Sequence, residues 1–160
     1  MAEHDILRKV FFFSKLSDDE IANFWEIVKE NSYPKGHDVI SEEHAGETMY
    51  IVKDGSVHIT KNIDGRQRLL ARLGVGEFFG EICLFDLGLR TATAKTIQPC
   101  TLLEIPKSRF DQLLQQHPAI GVKVLYAMMQ EMAKRLRNTD EMMKNLVLWV
   151  MSTKEWEKLP

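Results

Sequence analysis

Between residues 38 and 106 the chain is written in short segments, each closed by a turn, and this grammar constrains the fold most. Strands are expected at 39–40, 49–53, 56–61, 67–73, 92–96 and 101–105. Asp54-Gly55 and Asp64-Gly65 lie between consecutive segments, where such a pair supplies the positive φ of a tight hairpin. Gly74 and Gly76 break the next corner. Many short strands at even spacing predict an antiparallel sandwich or jelly-roll barrel.

Helical patterns flank this region. Residues 5–13 form a short amphipathic stretch. Ser17-Asp18-Asp19-Glu20 is a capping box that opens a helix expected to reach about residue 30, with Ile21, Phe24, Trp25 and Val28 on its apolar face. Pro34-Lys35-Gly36 closes that region. Beyond Pro106, residues 107–116 read as one helix ended by His117-Pro118. Residues 119–150 hold no proline, and their single glycine, Gly121, lies at the start. That is a helix of roughly thirty residues, or ~45 Å. The fold class is therefore mainly β with flanking α: a double-stranded β-helix (jelly-roll) barrel with N-terminal helices and a long C-terminal helix. The expected division is a barrel with its N-terminal helices over 1–118, the long helix over 119–150 and a short tail over 151–160, in which Trp156 is a possible docking residue.

Composition narrows the function. With 28% charged and 44% hydrophobic residues, the chain suits a soluble globular domain. A net charge of −2 implies no general attraction to nucleic acid. Cys83 and Cys100 have neither metal-type spacing nor a disulfide framework, so a reducing cytoplasm is the simplest setting. The N-terminus carries acids and only a three-phenylalanine apolar run, unlike a signal peptide, and no window approaches a membrane span. The histidines, His4, His37, His44, His58 and His117, form no His-x-His or other metal-type cluster. No nucleophile elbow is present. An enzyme is not expected, and neither a metal nor a cofactor.

One stretch carries ligand chemistry, Phe79 to Thr96, reading FGEICLFDLGLRTATAKT. Gly80 opens a turn that can wrap backbone N–H groups around an anion. Arg90 brings a planar donor fork suited to phosphate oxygens. Glu81 can only accept, which suits a sugar hydroxyl. A phosphate and a ribose hydroxyl read side by side describe a nucleotide. A plainer alternative is a surface turn with a solvated Glu and Arg. The ordered series Gly80, Glu81, Ile82-Cys83-Leu84, a short loop, Arg90, Thr91, Ala92 and Thr93 resembles the phosphate-binding cassette of the cyclic-nucleotide-binding domain family. Gly46 to Gly55, GETMYIVKDG, looks like that family's early strand-and-hairpin signature, while Glu43-His44 departs from its usual Gly-Asp. The resemblance implies that Arg90 forks onto the exocyclic phosphate oxygens, with the Thr91 hydroxyl and the N–H groups near Ile82 and Cys83 completing the anion site. It implies that Glu81 accepts from the ribose 2′-hydroxyl and that Gly80 permits close approach. The ligand it implies is cAMP first. A hydroxyl at Thr91 leaves cGMP open, and Thr91 also reads plainly as a β-branched strand residue.

In the long helix, Val122, Leu125, Met129, Met132, Leu136, Thr139, Met143, Leu146 and Val150 recur at alternating steps of three and four. This is a coiled-coil seam, and it predicts a parallel homodimer; the alternative is that the stripe packs on its own barrel, as its first half can. Residues 132–139, MAKRLRNT, resemble the central helix of catabolite-activator-type regulators. That resemblance implies a purine near Leu136, Thr139 and Asp140, with Asp140 standing where those regulators carry Ser, and Arg135 approaching Glu81. Lys134 and Arg137 read as a solvated face. Thr139 can equally be a register-setting polar residue. The ten residues after Val150 are too few for a helix-turn-helix module, so no direct DNA binding is expected of these residues. The partners expected are a cyclic nucleotide, a second copy and an effector protein not identified by the sequence. The main rival is an interaction module whose pocket is unused or takes another small anion; a truncated DNA-binding regulator is the other.

Overall fold

The computed structural model describes residues 3–153. Two 3-10 segments, Glu3–Lys9 and Phe11–Phe13, lead into α1, Asp18–Trp25. The capping box forms as read: Ser17 Oγ accepts from Glu20 N at 3.3 Å, and Glu20 Oε2 accepts from Ser17 N at 2.9 Å. The helix then stops at Trp25, earlier than expected. Ile27 N and Val28 N bond back to Phe24 O and Trp25 O, tightening the last turn. Lys29–Tyr33 follows as β1, where the sequence suggested helix and then a stop. Five ladder pairs with the C-terminal strand, from Lys29↔Glu104 to Tyr33↔Cys100, override the local helix signal.

The barrel strands are β2 Asp38–Ile40, β3 Thr48–Asp54, β4 Val57–Ile63, β5 Arg66–Leu73, β6 Phe78–Phe79, β7 Thr93–Thr96 and β8 Cys100–Pro106. They form two antiparallel four-stranded sheets, ordered β1-β8-β3-β6 and β2-β7-β4-β5, the jelly roll expected. Helices α2, Lys107–Gln116, and α3, Pro118–Ser152, complete the chain. Met151 and Ser152 thus belong to the helix rather than to a tail; residues 154–160, with Trp156, lie outside the described residues.

The first sheet is covered on both faces, which explains why its strands carry adjacent apolar residues. In β3, Met49 and Ile51 face the helices while Val52 faces the second sheet; in β8, Leu103 and Ile105 face the helices while Cys100 and Leu102 face the second sheet. The helix side packs Leu7, Phe12, Phe13, Ile21, Phe24, Phe110 and Leu113 into one cluster. The first turns of α3 join it through Ile120, Val124, Ala127 and Met128. Helix α3 is therefore anchored on the barrel over its N-terminal half. From Leu136 to Trp149 every side chain is exposed.

Candidate functional site

The site begins where β6 ends. Phe79 pairs with Tyr50 in β3, and Gly80 then adopts φ +74°. A β-carbon at Gly80 would lie 2.9 Å from Ile40 Cδ1 and 3.0 Å from Arg90 Nη1, so conformation and space both demand glycine. The turn delivers the 3-10 helix Glu81–Leu84. Its first N–H groups, near Ile82 and Cys83, have no acceptor within the helix and form an electropositive end. Lys107 Nζ donates to Leu84 O at 3.2 Å and binds Asp111 at 2.9 Å, fixing the far end of this segment to α2.

The loop after Leu84 returns the chain to the same place. Arg90 donates from Nη2 to Thr48 O at 2.8 Å and from Nη1 to Gly80 O at 3.2 Å. Those two bonds take one N–H from each arm of the fork, and the guanidinium also interacts with the Cys83 thiol. Burial pushes the Cys83 thiol up, although the neighbouring Arg90 guanidinium opposes the shift.

Glu81 is buried, with 7% of its surface exposed. Its Oε1 accepts from Arg135 Nη1 at 2.7 Å. Arg135, projecting from α3, also lies over the Phe78 ring with Cζ 4.5 Å from the centroid. This salt bridge links the cassette to the long helix.

Gly80, Glu81, Ile82, Cys83, Arg90, Thr91 and Thr139 line one cavity of about 840 Å³. That is large enough for a nucleotide-sized ligand. Leu136 and Asp140 are not on its wall. Both point to solvent, because the face of α3 turned to the cavity carries Glu131, Arg135, Asn138 and Thr139, and a residue one step on lies about 100° round the helix. The Thr139 hydroxyl donates back to Arg135 O at 3.0 Å. Apolar residues that sequence reasoning missed, Ile59, Leu70, Leu73 and Leu89, complete the wall. The signal for Glu131 and Asn138 was present in their helical spacing from Arg135; β5 offered no comparable clue, since Leu70 and Leu73 face the cavity from an otherwise exposed strand. A second cavity of about 530 Å³, among Asp38, Glu42, Glu43 and Lys95, has more carboxylates than cations and suits an anion poorly.

Of the expected seam, Leu125 and Met132 pack against their own core and Thr139 lines the cavity, so these three lie off the open face of α3. Val122, Tyr126, Met129, Leu136 and Met143 form the stripe left open, and Leu146 and Val147 are exposed beyond it. Val150 is half-buried. Among the described residues no helix is long and apolar enough to cross a membrane, and no cluster of His, Cys, Asp or Glu is arranged to hold a metal.

The jelly roll thus sets Arg90 and the buried carboxylate of Glu81 at one cavity of small-molecule size. Comparison with known proteins agrees. Residues 30–117 match the sequence profile of the cyclic nucleotide-binding domain. The chain belongs to that family. It is 29% identical over 144 residues to the CRP-like cAMP-activated global transcriptional regulator of Mycobacterium tuberculosis, a match covering 89% of this chain and 62% of that protein. It is 37% identical over 118 residues to the cAMP-activated global transcriptional regulator CRP of Pasteurella multocida, covering 72% and 54%. The chain therefore spans between half and two-thirds of these relatives. Among solved structures, the Thermus thermophilus catabolite activator protein superimposes with a TM-score of 0.78 at 28% identity, covering 85% of this chain and 62% of that one. The cAMP-bound regulatory domain of Toxoplasma gondii PKA superimposes at 0.63 with 30% identity, covering 68% and 42%.

Proposed function

We propose that this domain senses cAMP and passes its occupancy to α3 and, through α3, to a homodimer. The observation that carries the reading is the meeting of Arg90, Glu81 and Arg135 at one cavity, with Arg135 borne on the long helix. The exocyclic oxygens of the phosphate accept from the Arg90 fork, the N–H groups near Ile82 and Cys83, and the Thr91 hydroxyl. Glu81 accepts from the ribose 2′-hydroxyl with the carboxylate capacity that Arg135 leaves unused. The purine lies against Leu70, Leu73 and the Asn138–Thr139 stretch of α3. Seated there, the ligand bears on both ends of the Glu81–Arg135 pair, which makes α3 the element that its binding displaces or fixes.

The dimer forms on the stripe of Val122, Tyr126, Met129, Leu136 and Met143, which stays exposed among the described residues. Asp140 lies beside this stripe, directed away from its own cavity and toward a partner. Its carboxylate accepts from the N6 amine of adenine and repels the O6 of guanine, favouring cAMP over cGMP. Two free, buried cysteines fit a cytoplasmic setting. The test compares cAMP with 2′-deoxy-cAMP by equilibrium dialysis. Loss of the 2′-hydroxyl should weaken binding by on the order of tenfold or more, since a buried carboxylate loses a hydrogen-bond donor. Equal affinities would remove Glu81 from the ribose site.

A further inference from the structure

We propose that Gly46 is a positioning residue of the anion site, keeping open the space in which the Arg90 guanidinium is held ready for its ligand. The proposal rests on the reading of this cavity as a cyclic-nucleotide site. The 41–47 loop, between β2 and β3, doubles back alongside Arg90. Arg90 N donates to His44 O at 2.9 Å, and Glu43 N donates to Arg90 O at 2.9 Å. The backbone of Arg90 is thus tied to this loop in both directions, and its guanidinium is tied to Thr48 O at the loop's end. A β-carbon at position 46 would sit 2.5 Å from Nε, 2.6 Å from Nη2 and 2.9 Å from Cζ of the same arginine. Side-chain ends elsewhere can yield to such an intrusion. Here the threatened atoms are the fork itself, one arm of which is fixed on Thr48 O.

Gly46 has no conformational need to be glycine. Positive φ occurs at Gly36, Gly55, Gly65, Gly76 and Gly80, and Gly46 is not among them. An L-residue can adopt its backbone, so the missing side chain serves space. Gly46 and Gly80 flank the guanidinium from the loop and from the cassette, and between them the fork keeps one orientation before any ligand arrives. A fork held in this way enters the complex with its rotamer entropy already spent.

The experiment titrates the full chain and its Gly46→Ala and Gly46→Val variants with cAMP by calorimetry, with thermal melts of each. Affinity should fall in the order Gly, Ala, Val, with Gly46→Val weaker by on the order of tenfold or more, the worth of a charge-assisted hydrogen bond. The melting temperature should stay close to wild type. In an Arg90→Lys background, which lacks the fork, Gly46→Val should cost little further affinity. A purely structural role for Gly46 would carry the same loss into that background. A ligand-free readout stands beside these. The Arg90 Nε–H resonance should be resolved in the wild type and shifted or exchange-broadened in Gly46→Val. Binding by Gly46→Val within twofold of wild type, or an unchanged Nε–H signal, overturns the proposal. If the wild type binds no cyclic nucleotide, the functional reading fails, while the resonance still decides whether Gly46 positions Arg90.

Discussion

Replacing Arg135 by leucine should expose how strongly α3 is fastened to the cassette. The ion pair is short, at 2.7 Å, and asymmetric: the Glu81 side chain is 9% exposed and that of Arg135 41%. A hydrogen bond to a charged group contributes about 1.5–3 kcal/mol when buried, whereas an exposed pair contributes at most about 1 kcal/mol. Half-exposure of the arginine places this pair at ~1–2 kcal/mol. The cation over Phe78 adds about 0.5 kcal/mol. Leucine keeps apolar contact with that ring, so lost packing contributes little. For a chain of this size 1 kcal/mol corresponds to roughly 2–4 °C, and Arg135→Leu should lower the melting temperature by about 4–8 °C. The cleaner measure is a double-mutant cycle with Glu81→Gln, read by urea unfolding at one fixed protein concentration because a dimer's stability depends on it. The cycle should give a coupling of ~1–2 kcal/mol, because the ring contribution is lost equally in the single Arg135 variant and in the double variant and cancels. Additivity within about 0.5 kcal/mol would show that the pair does not hold the helix, and the proposed route from ligand to dimer would lose its first link.

Other consequences can be checked separately. The Lys123 ammonium, aided by the Ser17 N–H, holds the Glu20 carboxyl below its ordinary range. A lowered folded pKa gives stability that is present above the unfolded value and lost as pH falls through the folded one. Glu20→Gln should therefore be less stable than wild type in melts at pH 7, and the gap should close in acid below about pH 4; a constant gap would mean that the charge is not involved. Burial pushes the Cys83 thiol up, so in a Cys100→Ser background Ellman's reagent should label the native protein at pH 7.5 far more slowly than the protein in urea. Fast native labelling would place Cys83 in solvent. Leu136→Lys with Met143→Lys should give monomers in sedimentation velocity with the barrel still folded, and a persisting dimer would move the interface off the open stripe.

Where period and chemistry coincided, the sequence was enough to place elements. The Asp64-Gly65 hairpin between β4 and β5, the capping box at Ser17 and helix α2 over Lys107–Gln116 stand where they were read. Asp54-Gly55 does not close a hairpin: Gly55 has the expected positive φ, but the turn carries the chain from β3 in one sheet to β4 in the other. Strand β1 escaped because Lys29–Tyr33, KENSY, has no apolar alternation and exists through its ladder with β8 alone. Strand β6 is only the pair Phe78–Phe79, too short to show a period. The cassette residues from Gly80 to Thr91 were named from their resemblance to a family pattern, and the structure brings Gly80, Glu81, Ile82, Cys83, Arg90 and Thr91 to one cavity. The α3 face was harder. An apolar stripe at steps of three and four does not say which of two neighbouring registers meets the barrel, and the burial of Val124, Ala127 and Met128 resolves it. That choice turns Arg135 and Thr139 to the cavity and sends Leu136 and Asp140 outward, a consequence of tertiary packing that local spacing does not encode.

The account stands most directly on calorimetric titration of nucleotide-free protein with cAMP, repeated with cGMP and with the Arg90→Ala variant. It predicts saturable binding of about one cAMP per chain, weaker binding of cGMP, and loss of binding in a still-folded Arg90→Ala protein. No heat with either nucleotide, or wild-type affinity in Arg90→Ala, would contradict it.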